Sequence, residues 1–83
     1  MSPVQIGEQY YILGSTYLNF DRFDDALAAY GESIRHYEEI NAGERLARAY
    51  AARGIAYIEM DNYKLAQADL EQAEAIVPDN NDA

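Results

Sequence analysis

The chain contains no cysteine, which excludes disulfides, thiolate metal sites and cysteine nucleophiles. It has one histidine, His36, and few basic residues: 6 Lys and Arg stand against 15 Asp and Glu, a net charge of −9. Such a field repels phosphate backbones and anionic lipid, so neither nucleic acid nor a membrane is expected as a partner; it attracts basic partners at long range, or simply keeps a small helical protein in solution. No apolar run approaches the roughly 18 residues that a membrane span needs. The N-terminal stretch MSPVQIGEQYY lacks a basic segment followed by an apolar run, so it does not read as a secretory signal. These absences together give the expectation of a cytoplasmic protein. At 83 residues there is room for one small domain of modest stability.

What is present is clearest between Tyr50 and Pro78. Tyr50, Gly54 and Tyr57 fall at i, i+4, i+7, and Ala66, Leu70 and Ala73 repeat that spacing after a polar break at Asp61-Asn62. Each set is the buried stripe of a helix, and two stripes joined by a short break make a helical hairpin. Gly54 and Ala66 are small enough to let the two backbones approach closely where the helices cross. Pro78 closes the unit.

The first half of the chain has the same layout. Ser2, Pro3 and Gln5 form a helix start with a capping box, and the first helix is predicted from Pro3 to about Asn19, with Tyr10, Leu13, Gly14 and Tyr17 as its stripe. A break spans Asn19 to Arg22. The second helix is predicted over about 23–40, with Ala26, Tyr30 and Ser33 inward, and Asn41-Ala42-Gly43 ends it with Gly43 as a left-handed cap. Gly31 sits inside this helix, where close approach of a neighbouring helix would account for it. The third helix is predicted over about 44–60, with Glu44 and Arg48 as an i, i+4 ion pair, and the fourth from 62 or 63 to 76. Tyr10/Tyr50, Gly14/Gly54, Tyr17/Tyr57, Asp21/Asp61, Phe23/Tyr63, Ala26/Ala66, Ala28/Ala68 and Tyr30/Leu70 all pair at a constant offset of 40. The chain is internally duplicated.

The order aromatic, Leu-Gly, Tyr, Ala, aromatic, Pro resembles the tetratricopeptide repeat (TPR), matched here by Tyr50, Gly54, Tyr57, Ala66 and Pro78, and in the first half by the Leu13-Gly14 pair. Leu70 stands where an aromatic is usual and Arg53 where a Leu is usual. The resemblance implies an all-α fold: four helices in two stacked antiparallel hairpins, forming a right-handed solenoid. It implies a single domain over 1–83, with repeat one at about 3–40, repeat two at about 44–78 and a polar tail at 79–83. It also places a positive-φ residue at Asp21. The offset exceeds the usual period of about 34 residues by six, which is expected to lengthen the second helix and the start of the third. A charge in the Leu slot is costly unless paired or raised to solvent, so Arg53 is expected to snorkel, or to pair with Glu32 or another carboxylate of the second helix.

No catalytic constellation emerges. His36 lacks ligands at zinc spacing and reads as an exposed helical residue. The Asp24-Asp25 and Glu38-Glu39 pairs splay around their helices, and neither a Gly-rich phosphate loop nor a Ser-His-Asp order is present. The expectation is no enzyme, no cofactor and no metal. The tyrosines at 10, 17, 30, 50 and 57 occupy packing slots rather than base-stacking positions.

The resemblance implies a partner groove lined by the first helix of each repeat. Its positions are Glu8, Tyr11, Ser15, Leu18 and Asn19, then Arg48, Ala51, Ile55, Ile58 and Glu59. The Lys and Asn with which some TPR domains hold a peptide carboxylate are replaced here by Tyr11, Ser15, Ala51 and Ile55. What remains is an apolar strip of Tyr11, Leu18, Ile55 and Ile58, suited to a helix or an apolar peptide of a protein partner. The alternative is a structural role, as a self-assembling scaffold unit or a piece of a longer array. TPR arrays commonly end in a covering helix, and none follows Pro78, so Leu70, Ala73 and Ile76 are expected to drive homo-oligomerisation, most simply through a two-fold contact.

Overall fold

A computed structural model of the protein describes residues 1–76. It contains α1 (Pro3–Asn19), α2 (Phe23–Glu39), α3 (Gly43–Glu59) and α4 (Tyr63–Ile76), with no strand among the described residues. Pro78 and the tail at 79–83, expected to close the second repeat, lie outside them. The predicted boundaries hold to within about a residue. Ser2 makes the expected capping box: its hydroxyl accepts from the Gln5 amide at 3.2 Å, and the Gln5 side chain accepts from the Ser2 amide at 2.9 Å.

All three connections are the same turn. Asp21, Asn41 and Asp61 have φ of 60°, 52° and 60°. After α1, the Asp21 amide donates to the Leu18 carbonyl at 3.0 Å and the Arg22 amide to Tyr17 at 2.9 Å. The pattern recurs at Asn41 and Ala42, and again at Asp61 and Asn62. This is the Schellman arrangement, built on the residue types that tolerate a left-handed backbone best after glycine. The expected cap at Gly43 is therefore corrected. Asn41 takes the left-handed conformation, and Gly43, whose φ is not positive, begins α3. α1, α2 and α3 are each 17 residues long, so the residues beyond the usual repeat period are helix and not loop.

The two hairpins, α1 with α2 and α3 with α4, are antiparallel and joined by packing of α3 on α2. Glycine on α1 decides how close α2 comes. A Cβ on Gly14 would lie 2.7 Å from the Tyr30 ring, and one on Gly7 would lie 2.6 Å from the Tyr37 ring. Both glycines and both tyrosines are seven residues apart, so each ring drops into a notch two turns from the next. The bottom of each notch is polar and satisfied. Ser33, fully buried, donates to the Gly7 carbonyl at 2.8 Å, and the Tyr30 hydroxyl lies 2.9 Å from Ser15 Oγ. Burial raises the Tyr30 and Tyr37 hydroxyls above their usual pKa, so both stay protonated at neutral pH.

From the other side α3 closes the core with small residues. Ala52 and Ala56 pack with Tyr30 and Ala26, while Ala49 packs with Ile34 and Tyr37. Tyr10, Tyr17, Tyr50 and Tyr57 are only half-buried, and Leu13 is 40% exposed, so these stripe positions are the margin of the core and not its centre. Gly31 faces open space, with nothing within 4 Å of a Cβ built there, so no neighbouring helix explains it.

Arg53 neither snorkels nor reaches α2. It forms a bidentate ion pair with Asp69 of α4, Nε to Oδ2 at 2.8 Å and Nη2 to Oδ1 at 2.9 Å, with its guanidinium 5.6 Å from the Tyr50 ring centre. The hydrogen bond to Asp69 is the main reason the Arg53 pKa is raised. The same two slots of the first repeat hold Leu13 and Ala29, so an apolar pair in one copy has become an ion pair in the other. The sequence showed the charge at 53. Its partner was hidden because Asp69 reads as one more acid on an acidic helix.

Gly14→Ala pushes the Tyr30 ring out of its notch and should cost about 1–3 kcal/mol, whereas Gly31→Ala, in open space, should add about 1 kcal/mol by helix propensity. Denaturant midpoints moving together in both variants would contradict the packing described. Arg53→Leu strands a carboxylate that is only 5% exposed and should cost about 1–3 kcal/mol. Adding Asp69→Ala, which recreates the first repeat's pair, should recover most of that loss; a double variant weaker than Arg53→Leu alone would refute the compensation.

Candidate partner-binding site

The ten groove positions do not share one environment. Glu8, Tyr11 and Arg48 line a cavity of about 140 Å³ together with Ile12, Tyr37 and Arg45. α1 supplies Glu8, Tyr11 and Ile12, the end of α2 supplies Tyr37, and the first turns of α3 supply the two arginines. Gly7 is what brings Tyr37 there, since its missing side chain lets the ring lie against α1. Ile12, Tyr37 and Arg45 are not among the ten positions expected from the sequence. The seven-residue spacing of Gly7 and Gly14, matched by Tyr30 and Tyr37, was the available signal for Tyr37.

The electrostatics of this cavity differ from the protein's average. Arg22, Arg35 and Arg53 each sit within 4 Å of a carboxylate, but Arg45 and Arg48 have no such partner among the described residues. The expected Glu44–Arg48 pair is not made. Glu8 is the one carboxylate lining the cavity. Both arginines act on the Tyr37 hydroxyl, pulling its pKa down against the larger upward effect of burial. Two cations and one anion leave this corner locally positive on a chain of net charge −9.

The rest of the row divides between packing and exposure. Ser15 turns towards Tyr30, and Tyr11 sits edge-on to the same ring at a centroid distance of 5.8 Å. Leu18 packs on the Tyr30 cluster, and Ala51 is half-buried. Ile55 and Ile58 are 49% and 41% exposed, with Asn19 and Glu59 also exposed. The apolar strip therefore has two half-buried members on α1 and two open ones on α3.

On the last hairpin, Leu70 leans on Gly54, its Cγ 3.2 Å from where a Cβ would stand, yet 39% of it is exposed. Ala73 and Ile76 are half-buried, and Ile76 reaches to 4.0 Å from the corresponding point on Gly43. His36 is half-buried and stacks on Tyr10 at 5.8 Å, so it is not the freely exposed side chain the sequence suggested. No cluster of potential metal ligands occurs among the described residues. No helix there is long and apolar enough to cross a membrane.

Comparison with known proteins agrees with this architecture. The DnaJ homolog subfamily C member 7 homolog of Schizosaccharomyces pombe is 26% identical over 77 residues, covering 93% of this chain. The chain spans 15% of that protein's length. No solved structure matches significantly. Residues 8–79 match the family model described as tetratricopeptide repeat, and repeats of this kind generally serve as protein–protein interaction modules. The chain belongs to the tetratricopeptide-repeat family.

Proposed function

We propose that the protein is a non-catalytic interaction module that holds a helix or short peptide of a partner protein along α1 and α3. The observation that carries this reading is the pair Ile55 and Ile58, large aliphatic side chains left open on α3, with Tyr11 and Leu18 half-buried on α1. Fully burying an Ile is worth about 1.5–3 kcal/mol, and Ile55 and Ile58, 49% and 41% exposed, have roughly half of that still to gain, so together they supply a usable anchor. The cavity with Arg45 and Arg48 lies along the same two helices and suits an acidic side chain of the ligand, which would fix its direction in the groove. Cytoplasmic residence accords with this role.

The test is co-purification of the wild type beside an Ile55→Asp, Ile58→Asp double variant. Loss of a specific co-purifying protein in the variant, with the helical content unchanged, is the expected result. A variant that keeps every partner of the wild type contradicts the groove.

A second reading, self-assembly, is favoured by one comparison of equivalent slots. Tyr30 is 2% exposed because α3 covers it, whereas Leu70, its counterpart 40 residues on, is 39% exposed. Leu70, Ala73 and Ile76 would then gain cover from a second copy, against association entropy and the repulsion of two acidic chains. Sedimentation across a dilution series at high salt should show a concentration-dependent mass that Leu70→Glu or Ile76→Glu abolishes; a monomer at every concentration sinks this reading.

A further inference from the structure

We propose that copies of the chain associate head to tail, the outer face of α1 in one copy covering the α4 face of the next, and not through the two-fold contact of two α4 faces. The proposal rests on the self-assembly reading and gives it a direction and a contact set. Its template is the contact between the two repeats inside one chain. There, Tyr30 of α2 packs with Ala52 and Ala56 of α3, and Ile34 of α2 packs with Ala49. Moving each residue along the constant offset of 40 gives what the two ends of the molecule offer each other. The tail presents Leu70 and Glu74 where α2 has Tyr30 and Ile34. The head presents Ile12, Thr16 and Gln9 where α3 has Ala52, Ala56 and Ala49.

The substitutions are complementary. In the internal contact a large ring meets two methyl groups. In the contact between copies the ring has shrunk to Leu70 and the methyl groups have grown to Ile12 and Thr16, so the volume across the contact is roughly kept. At the second site an apolar pair, Ile34 and Ala49, becomes a polar pair, Glu74 and Gln9, in which the Gln9 amide can donate to the Glu74 carboxylate. Ile12, at the rim of the cavity, is still 52% exposed on α1, and Gln9, Thr16 and Glu74 are exposed as well.

A two-fold contact lacks these matches. It sets Leu70 against Leu70 and brings the Glu74 of both copies to the same face, on chains that already repel. Repeating the internal step is a heterologous contact, and it leaves a free head and a free tail at the ends of every assembly.

The experiment uses this polarity. Ile12→Glu blocks only the head and Leu70→Glu only the tail; Ile12 is 52% exposed and Leu70, which also leans on Gly54, 39%, and circular dichroism checks that both variants fold. In sedimentation velocity at high salt, each variant alone should be monomeric. An equimolar mixture, having one intact head and one intact tail, should form a heterodimer and nothing larger, at least ten times more abundant than any dimer of either variant alone. Thr16→Arg should behave as Ile12→Glu does in the same mixture. Ile12→Glu self-associating as the wild type does, with no pairing in the mixture, overturns the head-to-tail arrangement and leaves the two-fold one. A wild type that stays monomeric throughout overturns self-assembly altogether.

Discussion

The seating of Tyr30 in the notch at Gly14 is the contact on which the remaining packing depends. It sets the α1–α2 distance, because any side chain at 14 would meet the ring. It orders Ser15, whose hydroxyl is the partner of the buried phenol, and it gives Tyr11 an edge to lean on. On its far side it offers α3 a flat surface that Ala52 and Ala56 can approach closely. One residue therefore touches three helices. That explains why the chain's core is mostly alanine and two tyrosines instead of a cluster of Leu and Ile. Small residues on α3 are useful only because a large ring already fills the space between α1 and α2.

The second repeat has the same frame with weaker contents. Leu70 takes the ring's place against Gly54 and remains partly open, and the pair Arg53–Asp69 supplies a directional tie where the first repeat has Leu13 and Ala29. A bidentate ion pair fixes geometry well but adds little net stability after its desolvation cost. The two hairpins are thus unequal by construction. The first gains from α3 what the second receives from nothing in the described chain, and the same inequality leaves apolar surface exposed on α4.

The helices, their order and their pairing were legible in the sequence because they rest on periodicity and on a duplication with constant offset. The turns were half legible. The repeat pattern marks Asp21, but Gly43 draws the expected cap away from Asn41, since glycine is the commoner left-handed cap; the 20-residue recurrence of Asp21, Asn41 and Asp61 is the signal that places it. The site was less legible. Groove positions carried over from a repeat pattern say which way a Cα points, and not whether a side chain is already engaged. Ser15 is held by Tyr30, and Arg48 turns to a cavity with Arg45 and Tyr37, residues that lie outside the pattern's groove positions. Arg53 was conspicuous, but its partner 16 residues away on the next helix follows from the crossing geometry alone.

Stability is concentrated where Tyr30 joins α1, α2 and α3, and α4 is the loosest of the four described helices. Native-state amide hydrogen exchange, resolved by residue, measures this directly. The highest protection is expected for the amides around Tyr30 and Ser33 in α2 and around Ala52 and Ala56 in α3, with α4 opening at clearly lower free energy. Protection in α4 equal to that in α2, or an α3–α4 hairpin that stays closed while α1 and α2 open, would contradict it.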